Sequence, residues 1–236
     1  EAPLPPPSGL SCSAGAAGPD VALAWTNGWS YASILVRRDG VLIATLAGTA
    51  TAYTDTPALP GVYAYSVAGV LGTQTSTAAL CSADLQYVAP LAITECTIGE
   101  DRIAHLAWTN GSASYTGITL LIDGTAAPGS PLPGTATSYV SAALVPGQHT
   151  FTLEPFIGTY TGPEATCAAT ALLPPPVNLT CTAGTSNLNV ALLWTNGWTY
   201  QSVVIMRNGA VIRTLSGSPS SYTDLLPAPG IYRYDV

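Results

Sequence analysis

The five cysteines are the residues of this sequence whose type and spacing most directly indicate chemistry. Cys12 and Cys81 lie 69 positions apart, and Cys96 and Cys167 lie 71 positions apart, so nearly the same interval occurs twice. The simplest pairing is two disulfides between these residues, and a set of free buried thiols is the alternative. A disulfide that closes a loop of this length stabilises a small domain by about 4 kcal/mol in the chain-entropy description.

The other residues that could do chemistry form no catalytic or metal-binding pattern. The only histidines, His105 and His149, have no nucleophile or carboxylate at a recognisable spacing, so we interpret both as structural. Glu100 and Asp101 are adjacent, but they match no calcium-loop spacing and are typical of a solvated turn. No cysteine is left for a C-x-x-C metal or redox site. The sequence therefore predicts no enzymatic activity, no metal site and no cofactor.

The charge balance and the hydropathy narrow the classes of function. The chain of 236 residues has 13 Asp and Glu against 6 Arg and no Lys, a formal net charge of -7. A nucleic-acid binder needs clustered cations that displace phosphate counterions, so we expect no nucleic-acid partner. No apolar run approaches the ~18 residues of a membrane-spanning helix, so we expect no membrane insertion. The 47% of hydrophobic residues argues against disorder.

The chain contains a repeated module. Residues 5–67 and 174–236 align without a gap at a constant offset of 169, and about half of their positions are identical. A weaker copy lies between them, in which Cys96 corresponds to Cys12 and Trp108 to Trp25. The period of 84 to 86 residues predicts three domains, at 1–83, 84–170 and 171–236, called modules 1, 2 and 3 below. Because modules 1 and 3 are the more alike, we expect an A-B-A-B order in the parent gene.

Short β-strands are predicted throughout each module. Val21, Leu23 and Trp25 alternate with small residues, which predicts a strand whose large side chains face the core. Asp39-Gly40 predicts a two-residue type I′ hairpin turn, and residues 75–81 are predicted to form the closing strand. The pattern of seven short strands in a module predicts an all-β sandwich.

At these residues the chain resembles a fibronectin type III module. The resemblance is carried by the tryptophan on the second strand and by the Leu59-Pro60-Gly61-Val62-Tyr63 turn before an alternating aromatic strand. It covers nearly the whole chain, and it implies tandem two-sheet sandwiches with Tyr63 and Tyr232 as tyrosine-corner residues. His149 replaces that tyrosine in module 2, and the cysteines are an addition that most such modules lack. We expect an extracellular, bacterial repeat protein.

Module 3 has no closing strand within the sequence, and Cys181 has no partner. By the offset of 169, the partner of Cys181 would stand at position 250, beyond Val236. Two explanations are open. Either the 236 residues are a fragment of a longer array, or another chain donates a strand that completes the module, which would make a polymer.

Two tryptophans and four apolar residues are candidates for contacts with partners. Trp29 and Trp198 follow the Asn-Gly of the loop after the second strand. They either cap the end of their own module or pack on the neighbouring proline linker, or they stack on a sugar or dock a neighbouring protein. If Ile34 and Val36 face inward, the outer face of the third strand carries Leu35, Leu121, Val204 and Met206. Such an apolar face indicates lateral contacts, although an ordinary half-covered sheet explains the same pattern.

Two further motifs concern the surface and the joints. Asn110-Gly-Ser112 and Asn178-Leu-Thr180 match the N-glycosylation motif, and short matches of this kind also arise by chance. Proline runs at residues 5–7 and 174–176 lead into the first strands of modules 1 and 3. Proline favours an extended, stiff backbone, so we expect restricted joints.

These features lead to two hypotheses for function. The first is an extracellular structural or interaction protein, a stiff array in a surface filament, adhesin or matrix. Its partners would be copies of itself or other surface proteins. The second is an accessory region of a secreted polysaccharide-degrading enzyme, with Trp29 and Trp198 on carbohydrate. Disulfides require an oxidising compartment, so both hypotheses predict a secreted or cell-surface protein, and the start at Glu1-Ala-Pro indicates a processed mature end.

Overall fold

The computed structural model describes residues 2–236, which fold into β-strands, turns and loops without any helix. The prediction of an all-β chain is therefore confirmed. In this range no helix is available that could cross a membrane.

Within the described residues, 23 strands form six sheets. The strands of module 1 are β1 (Ser8–Ala14), β2 (Val21–Thr26), β3 (Ser33–Arg38), β4 (Val41–Ala47), β5 (Ala52–Asp55), β6 (Gly61–Leu71), β7 (Gln74–Thr75) and β8 (Ala79–Leu85). Those of module 2 are β9 (Ala92–Ile98), β10 (Ile103–Thr109), β11 (Gly117–Ile122), β12 (Thr125–Ala126), β13 (Leu132–Pro133), β14 (Ser138–Ala143), β15 (Gly147–Ile157), β16 (Tyr160–Thr161) and β17 (Ala165–Ala171). Those of module 3 are β18 (Val177–Ala183), β19 (Asn189–Thr195), β20 (Ser202–Arg207), β21 (Ala210–Ser216), β22 (Ser221–Leu225) and β23 (Tyr234–Asp235).

The strands of module 1 form a two-sheet sandwich. One sheet has the order β1-β2-β5, and the other has the order β4-β3-β6-β7 with β8 also paired to β6. The core draws side chains from both sheets, including Leu23 and Trp25 of β2, Ile34 and Val36 of β3, and Tyr65 of β6. Two sheets whose inner faces share one apolar core in this way define a β-sandwich.

Modules 2 and 3 repeat this strand order. The first sheets are β14-β10-β9 and β18-β19-β22, and the second sheets contain β12-β11-β15 and β21-β20-β23. In module 1, β6 pairs with β3 from Ser33 to Arg38, whereas in module 3 β23 pairs with β20 at Met206 and Arg207. Module 3 thus consists of two three-stranded sheets.

The chain forms two compact units. The first contains the chain up to Thr97 together with Ala104–Ser141 and His149–Ala169. The second contains Ile98–Ile103, Ala142–Gln148 and Thr170–Val236. Two loop regions of module 2 therefore belong to the same unit as module 3. The domain boundaries at 83/84 and 170/171 remain predictions.

The predicted inward phase of the second strand is confirmed in all three modules. Val21, Leu23 and Trp25 are at most 5% exposed, and the alanines between them are exposed. Their counterparts are also buried: Ala104, Leu106, Trp108, Val190, Leu192 and Trp194. The alternation of large and small residues along the strand is therefore enough to predict which of them face the core.

The predicted type I′ hairpin turns are also confirmed. Asp39 and Gly40 have φ angles of 51° and 82°, and the Asp-Gly and Asn-Gly pairs of the other modules adopt the same left-handed conformation. The Asp39 carboxylate accepts the N–H of Ala64 at 2.9 Å, and the Asn208 side chain accepts the N–H of Arg233 at 2.8 Å. Each polar residue thus fixes its turn and the strand beside it.

The end of module 1 differs from the prediction of one closing strand over residues 75–81. The segment forms β7 and β8, separated by residues 76–78. The N–H of Gly69 donates to Ser76 Oγ at 2.9 Å, and the N–H of Ser76 donates to the Gly69 carbonyl at 2.8 Å. This buried serine ends the pairing of β7, and the chain then pairs with β6 again as β8.

Two disulfides, Cys12–Cys81 and Cys96–Cys167, confirm the predicted pairing. Each joins the first strand of its module to the last, with Cα atoms 5.8 Å and 6.4 Å apart. Because β1 and β8 belong to different sheets, the bond links the two sheets covalently. Cys181 is a free, exposed thiol.

A carboxylate is buried inside modules 1 and 3. Asp55 is 7% exposed and accepts hydrogen bonds from Arg38 Nη1 at 2.7 Å and from the Tyr65 hydroxyl at 2.8 Å. Asp224 makes the same two contacts in module 3, at 2.7 Å each. A buried charge requires such partners, because desolvation without them costs several kcal/mol. The network joins β5 of one sheet to β3 and β6 of the other.

Module 2 lacks this buried carboxylate. Ile122 lies opposite Phe151 in its second sheet, where Arg38 lies opposite Tyr65 in module 1. The buried polar residue of β14 is Ser141. The interior of module 2 therefore carries no counterpart of the arginine and tyrosine that hold Asp55.

The tyrosine-corner prediction is confirmed in modules 1 and 3. The Tyr63 hydroxyl donates to the Leu59 carbonyl at 2.7 Å, and the Tyr232 hydroxyl donates to the Ala228 carbonyl at 3.0 Å. Each bond reaches four residues back along the chain and closes the turn before the aromatic strand.

His149, which replaces the corner tyrosine in module 2, has a carboxylate partner. Its Nδ1 lies 2.7 Å from Asp123 Oδ2, so the interpretation that no carboxylate accompanies it was wrong. The hairpin turn supplies the carboxylate, and the N–H of Thr150 donates to the other oxygen at 2.8 Å. The bonds from Thr150 and His149 hold the pKa of Asp123 below its usual value.

We predict that the Asp55 network makes module 1 sensitive to alkaline pH. Burial and the hydrogen bond to Asp55 raise the pKa of Tyr65 above the ordinary tyrosine value of about 10. Stability that depends on the neutral hydroxyl is therefore complete below pH ~10 and is lost as the pH rises further. Tyr65→Phe should lower the free energy of unfolding by about 1–3 kcal/mol at neutral pH. This difference from the natural chain should shrink above pH ~10.

Urea denaturation between neutral pH and pH ~11 measures this difference. Tyr53→Phe is the matched control, because it removes a hydroxyl from the same module and leaves both partners of Asp55 in place. A Tyr65→Phe penalty that stays constant across the whole range contradicts the prediction.

Candidate functional site

The loop after the second strand of module 1 is built by the motif Trp25-Thr-Asn27-Gly28. Trp25 Nε1 donates to Asn27 Oδ1 at 3.1 Å, and Asn27 Nδ2 donates to the carbonyls of Gly48 and Ala50 at 3.2 and 3.1 Å. The asparagine amide thus uses its acceptor and both donors inside the protein. It connects the core tryptophan to the segment before β5 and fixes the start of the loop.

Tyr31 connects the same loop to the proline-rich segment that precedes β1. Its hydroxyl donates to the Pro5 carbonyl at 2.8 Å and accepts the N–H of Gly28 at 3.2 Å. A Cβ on Gly28 would lie 2.3 Å from the Pro6 carbonyl oxygen, so this close approach requires glycine. We call the contact of tyrosine, loop glycine and linker carbonyl the linker clamp.

The linker clamp recurs in the other two modules. In module 3 the Tyr200 hydroxyl donates to the Pro174 carbonyl at 2.7 Å and accepts the N–H of Gly197 at 3.1 Å. In module 2 the Tyr115 hydroxyl donates to the Ala89 carbonyl at 2.6 Å. Burial raises the pKa of Tyr115, so this hydroxyl keeps its proton well above neutral pH.

The clamped loop carries a tryptophan at its tip in modules 1 and 3. Trp29 directly follows Gly28, and Trp198 directly follows Gly197. Trp29 is 56% exposed, an unusual value for a residue type that is highly buried on average. Trp198 is partly buried. The two loops share the linker clamp, but the tryptophan of module 1 is exposed and that of module 3 is partly buried.

Arg102 covers Trp198 in the second unit. Its Cζ lies 4.5 Å from the centroid of the indole ring, within the range of a cation–π contact. The turn that carries Arg102 lies between β9 and β10, and the N–H of Leu144 donates to its carbonyl at 2.8 Å. Arg102 Nη1 is buried and makes no hydrogen bond within residues 2–236. The guanidinium therefore contacts the tryptophan ring, and its buried Nη1 has no polar partner among these residues.

The corresponding turn and loop also meet in the first unit. A cleft of about 360 Å³ is lined by Pro19 from the turn between β1 and β2, and by Gly111 and Ser112 from the loop after β10. Leu59 and Tyr87 complete its apolar wall. In this cleft Pro19 of the turn corresponds to Arg102 of the second unit, and Ser112 of the loop corresponds to Trp198. A turn between the first two strands and a loop after the second strand therefore face each other in both units.

The four apolar residues predicted on the outer face of the third strand are exposed to different extents. Leu35, Leu121 and Met206 are partly buried, and Val204 is 40% exposed. Lateral contact through these residues remains a prediction.

More strongly exposed apolar residues flank Leu35 in module 1. Leu42 of β4, Val62 of β6 and Leu80 of β8 are 46%, 68% and 74% exposed. Strand pairing places them on the same outer face as Leu35, because residues directly opposite each other in a sheet point to one side. The sequence analysis did not identify these three exposed apolar residues.

The two candidate glycosylation positions differ in their surroundings. Asn110 donates from Nδ2 to the carbonyls of Gly134 and Ala136, at 3.1 Å each, so a glycan there would break the loop. Asn178 is exposed, with a φ angle of 57° at an irregularity in the pairing of β18. Glycosylation of Asn178 remains a prediction.

The described part of the chain brings together no group of three or more His, Cys, Asp or Glu side chains that could hold a metal ion. His105 is exposed on β10, as its strand phase predicts. The indole rings at the loop tips can make aromatic stacking and cation–π contacts.

Sequence reasoning missed the residues that build these loops. The Asn27 and Tyr31 contacts belong to a repeated pattern, Trp-Thr-Asn-Gly followed by tyrosine, which is visible in all three modules. That repetition was a usable signal for a shared structural role. Arg102 gives no such signal, because it occurs in module 2 alone.

The fold of the chain is similar to that of fibronectin type III domains. A two-domain fibronectin type III segment from chicken tenascin matches with a TM-score of 0.57 at 13% identity, over 71% of this chain and 100% of that chain. The central fibronectin-III array of RIM-binding protein matches with a TM-score of 0.32 at 17% identity, over 98% and 89%. Fibronectin(III)-like modules of CbhA from Clostridium thermocellum match with a TM-score of 0.32 at 13% identity, over 69% and 94%. No protein-family model and no curated protein matches the sequence. The tenascin likeness confirms the predicted fold.

We predict that Arg102→Ala uncovers Trp198 and leaves Trp29 unchanged. The guanidinium shields one face of the ring, so its loss should raise acrylamide quenching of Trp198 and remove about 0.5–1 kcal/mol of stabilisation. Fluorine NMR of a chain labelled with fluorotryptophan separates the tryptophans, once each resonance is assigned through a Trp→Phe variant. Arg213→Ala is the matched control, since Arg213 is an exposed arginine of the same unit. Equal quenching in the natural chain and in Arg102→Ala contradicts the prediction.

Proposed function

We propose that this chain is an extracellular structural or interaction protein, a stiff array of sandwiches in a surface filament, adhesin or matrix. The observation that carries this proposal is the position of the disulfides. Cys12 on β1 is bonded to Cys81 on β8, and Cys96 on β9 is bonded to Cys167 on β17. The bond therefore connects the two ends of each module, where the chain enters and leaves.

This position determines the path of a pulling force. A load applied along the chain enters module 1 at β1 and leaves at β8, and the Cys12–Cys81 bond carries it directly between these strands. Without the bond, the load would separate β1 from β2 and β8 from β6, whose pairing consists of hydrogen bonds alone. The segment between the cysteines is thus shielded, which suits a load-bearing spacer.

Location and partners follow from the same chemistry. Structural disulfides persist in oxidising compartments, so we place the protein outside the cell, secreted or on its surface. The outer face of Leu42, Val62 and Leu80 supports lateral association with copies of the chain or with other surface proteins. The proposed role is therefore mechanical and adhesive.

We predict that the disulfides hide contour length in single-molecule force spectroscopy of the full chain. An unfolded module 1 with its bond intact should be shorter by about 230 Å than the same module after reduction, because the residues from 12 to 81 cannot extend. Cys12→Ser with Cys81→Ser should release this length without a reductant. Cys181→Ser is the matched control, because Cys181 is the free thiol. The same length gain with and without the bond would falsify the shielding role.

The exposure of Trp29 supports a second candidate function, contact with carbohydrate in an accessory region of a secreted polysaccharide-degrading enzyme. An exposed indole provides a flat apolar face on which a sugar ring can stack. In this case pull-down on insoluble polysaccharide should be lost in Trp29→Ala and retained in Trp198→Ala, whose ring already contacts Arg102. Retention of the natural chain and of Trp29→Ala to the same extent excludes this candidate.

A further inference from the structure

The two loop tryptophans share one scaffold but not one environment. Each follows a glycine whose N–H donates to the clamp tyrosine, at 3.2 Å for Gly28 and 3.1 Å for Gly197. Trp29 is 56% exposed, whereas Trp198 lies under Arg102 with 4.5 Å between Cζ and the ring centroid. Trp198 also packs against the core of module 3, so its burial has two sources, and the arginine contact is the one that covers a face of the ring.

The arginine is specific to module 2. In each module the N–H of a glycine closes the turn between the first two strands: Gly15 donates to the Asp20 carbonyl, Gly99 to the Ile103 carbonyl and Gly184 to the Asn189 carbonyl. We call the second of these, residues 99–103, the arginine turn, because it alone of the three contains a cation. Module 2 in turn has Ser112 where modules 1 and 3 have tryptophan. The loop of modules 1 and 3 therefore carries an indole ring, and the turn of module 2 between them carries the cation.

The first unit shows that the turn and the loop also meet without this pair. Pro19 of the module 1 turn and Ser112 of the module 2 loop line the same cleft. In both pairs of neighbouring modules, the turn of the preceding module lies against the loop of the following one. Where module 2 precedes module 3, this contact is the Arg102–Trp198 pair. A tryptophan loop meets an arginine turn in the second unit, and a serine loop meets a turn without a cation in the first unit.

We propose that Trp29 is a docking site for the guanidinium of an arginine turn carried by another module of the module 2 type. The arginine turn of a second copy already contacts its own Trp198. The turn of module 3, residues 184–189, offers no cation. The occupant is therefore a further module with arginine at the position of Arg102. This inference rests on the proposed function as an interacting array, and it names the contact that orders the modules.

The chemistry of the pair favours arginine over lysine. A guanidinium is planar and weakly hydrated, so it stacks on an indole face with little loss of solvation, whereas an ammonium is compact and strongly hydrated. Only six cations are present in the chain, and only one of them lies in a turn of this kind. Trp29 should therefore discriminate an arginine turn from the turns of modules 1 and 3, which contain no cation.

An extended chain tests the site, with a duplicate of residues 84–170 placed before Ala2. The new junction copies the natural one, since Ala2 corresponds to Ala171 at the offset of 169. In fluorine NMR of the fluorotryptophan-labelled chain, we expect the Trp29 resonance to move toward that of Trp198, and acrylamide quenching of Trp29 to fall toward that of Trp198. Arg102→Ala in the duplicate should reverse both changes, and Arg102→Lys should reverse part of each.

Two results of this experiment overturn the proposal. One is a Trp29 resonance that keeps its position in the extended chain. The other is a resonance that moves in the same way with and without the arginine of the duplicate. The Trp108 resonance of the duplicate reports whether the added module has folded.

A second variant needs no added module. Pro19→Arg combined with Ser112→Trp places the cation and the ring on the turn and the loop that line the cleft of the first unit. We expect a coupling of about three- to five-fold in the unfolding equilibrium constant, from a double-mutant cycle with the two single variants. Absence of coupling shows that turn and loop are not interchangeable between modules, and it overturns the proposal even if the extended chain does not fold.

These readouts are local to the loop, so they separate this proposal from the proposed function. A failed docking test leaves the shielding of contour length by the disulfides intact. Equal contour length with and without the disulfides would remove the load-bearing role and leave the arginine-dependent shift of Trp29 unaffected.

Discussion

In each module a tyrosine hydroxyl donates a hydrogen bond to a backbone carbonyl in the segment before the first strand. This bond fixes where the chain enters the module. It occurs three times, from Tyr31, Tyr115 and Tyr200. Because the same hydroxyl accepts the N–H of the loop glycine, the incoming segment and the loop after the second strand cannot move independently. The loop glycine cannot carry a side chain, since the linker carbonyl occupies that space. The positions of Trp29 and Trp198 at the loop tips follow from this contact.

The modules differ in how they connect their two sheets. Module 1 has both a disulfide and the buried carboxylate of Asp55 with its arginine and tyrosine partners. Module 2 keeps the disulfide and has a buried serine in place of the carboxylate, and module 3 keeps the carboxylate of Asp224 with Cys181 as a free thiol. Module 2 therefore keeps the covalent connection without the polar one, while the strand order stays the same. Strand phase and turn chemistry, which all three modules share, are the features that specify this order.

Much of this architecture could be predicted because it is periodic or local. The inward strand phase, the hairpin turns and the disulfides each follow from spacing within one module. The clamp could not be predicted in detail, because the Tyr31 acceptor is a backbone carbonyl 26 residues away and no spacing rule indicates such an acceptor. The carboxylate partner of His149 comes from a hairpin turn, and the partner of Arg102 lies 96 positions further along the chain. Contacts that occur once and over long separations leave no repeated pattern.

The divergence of module 2 from its neighbours has a consequence for biosynthesis. Strand exchange between similar adjacent domains is a characteristic failure of repeat proteins as they emerge during synthesis. Here the two similar modules are separated by one whose interior differs. A β3 strand from module 1 that entered module 2 would place Arg38 near Ser141 instead of the carboxylate of Asp55, and the ion pair of module 1 would be lost. The different interior of module 2 therefore disfavours exchange of this strand between neighbouring modules.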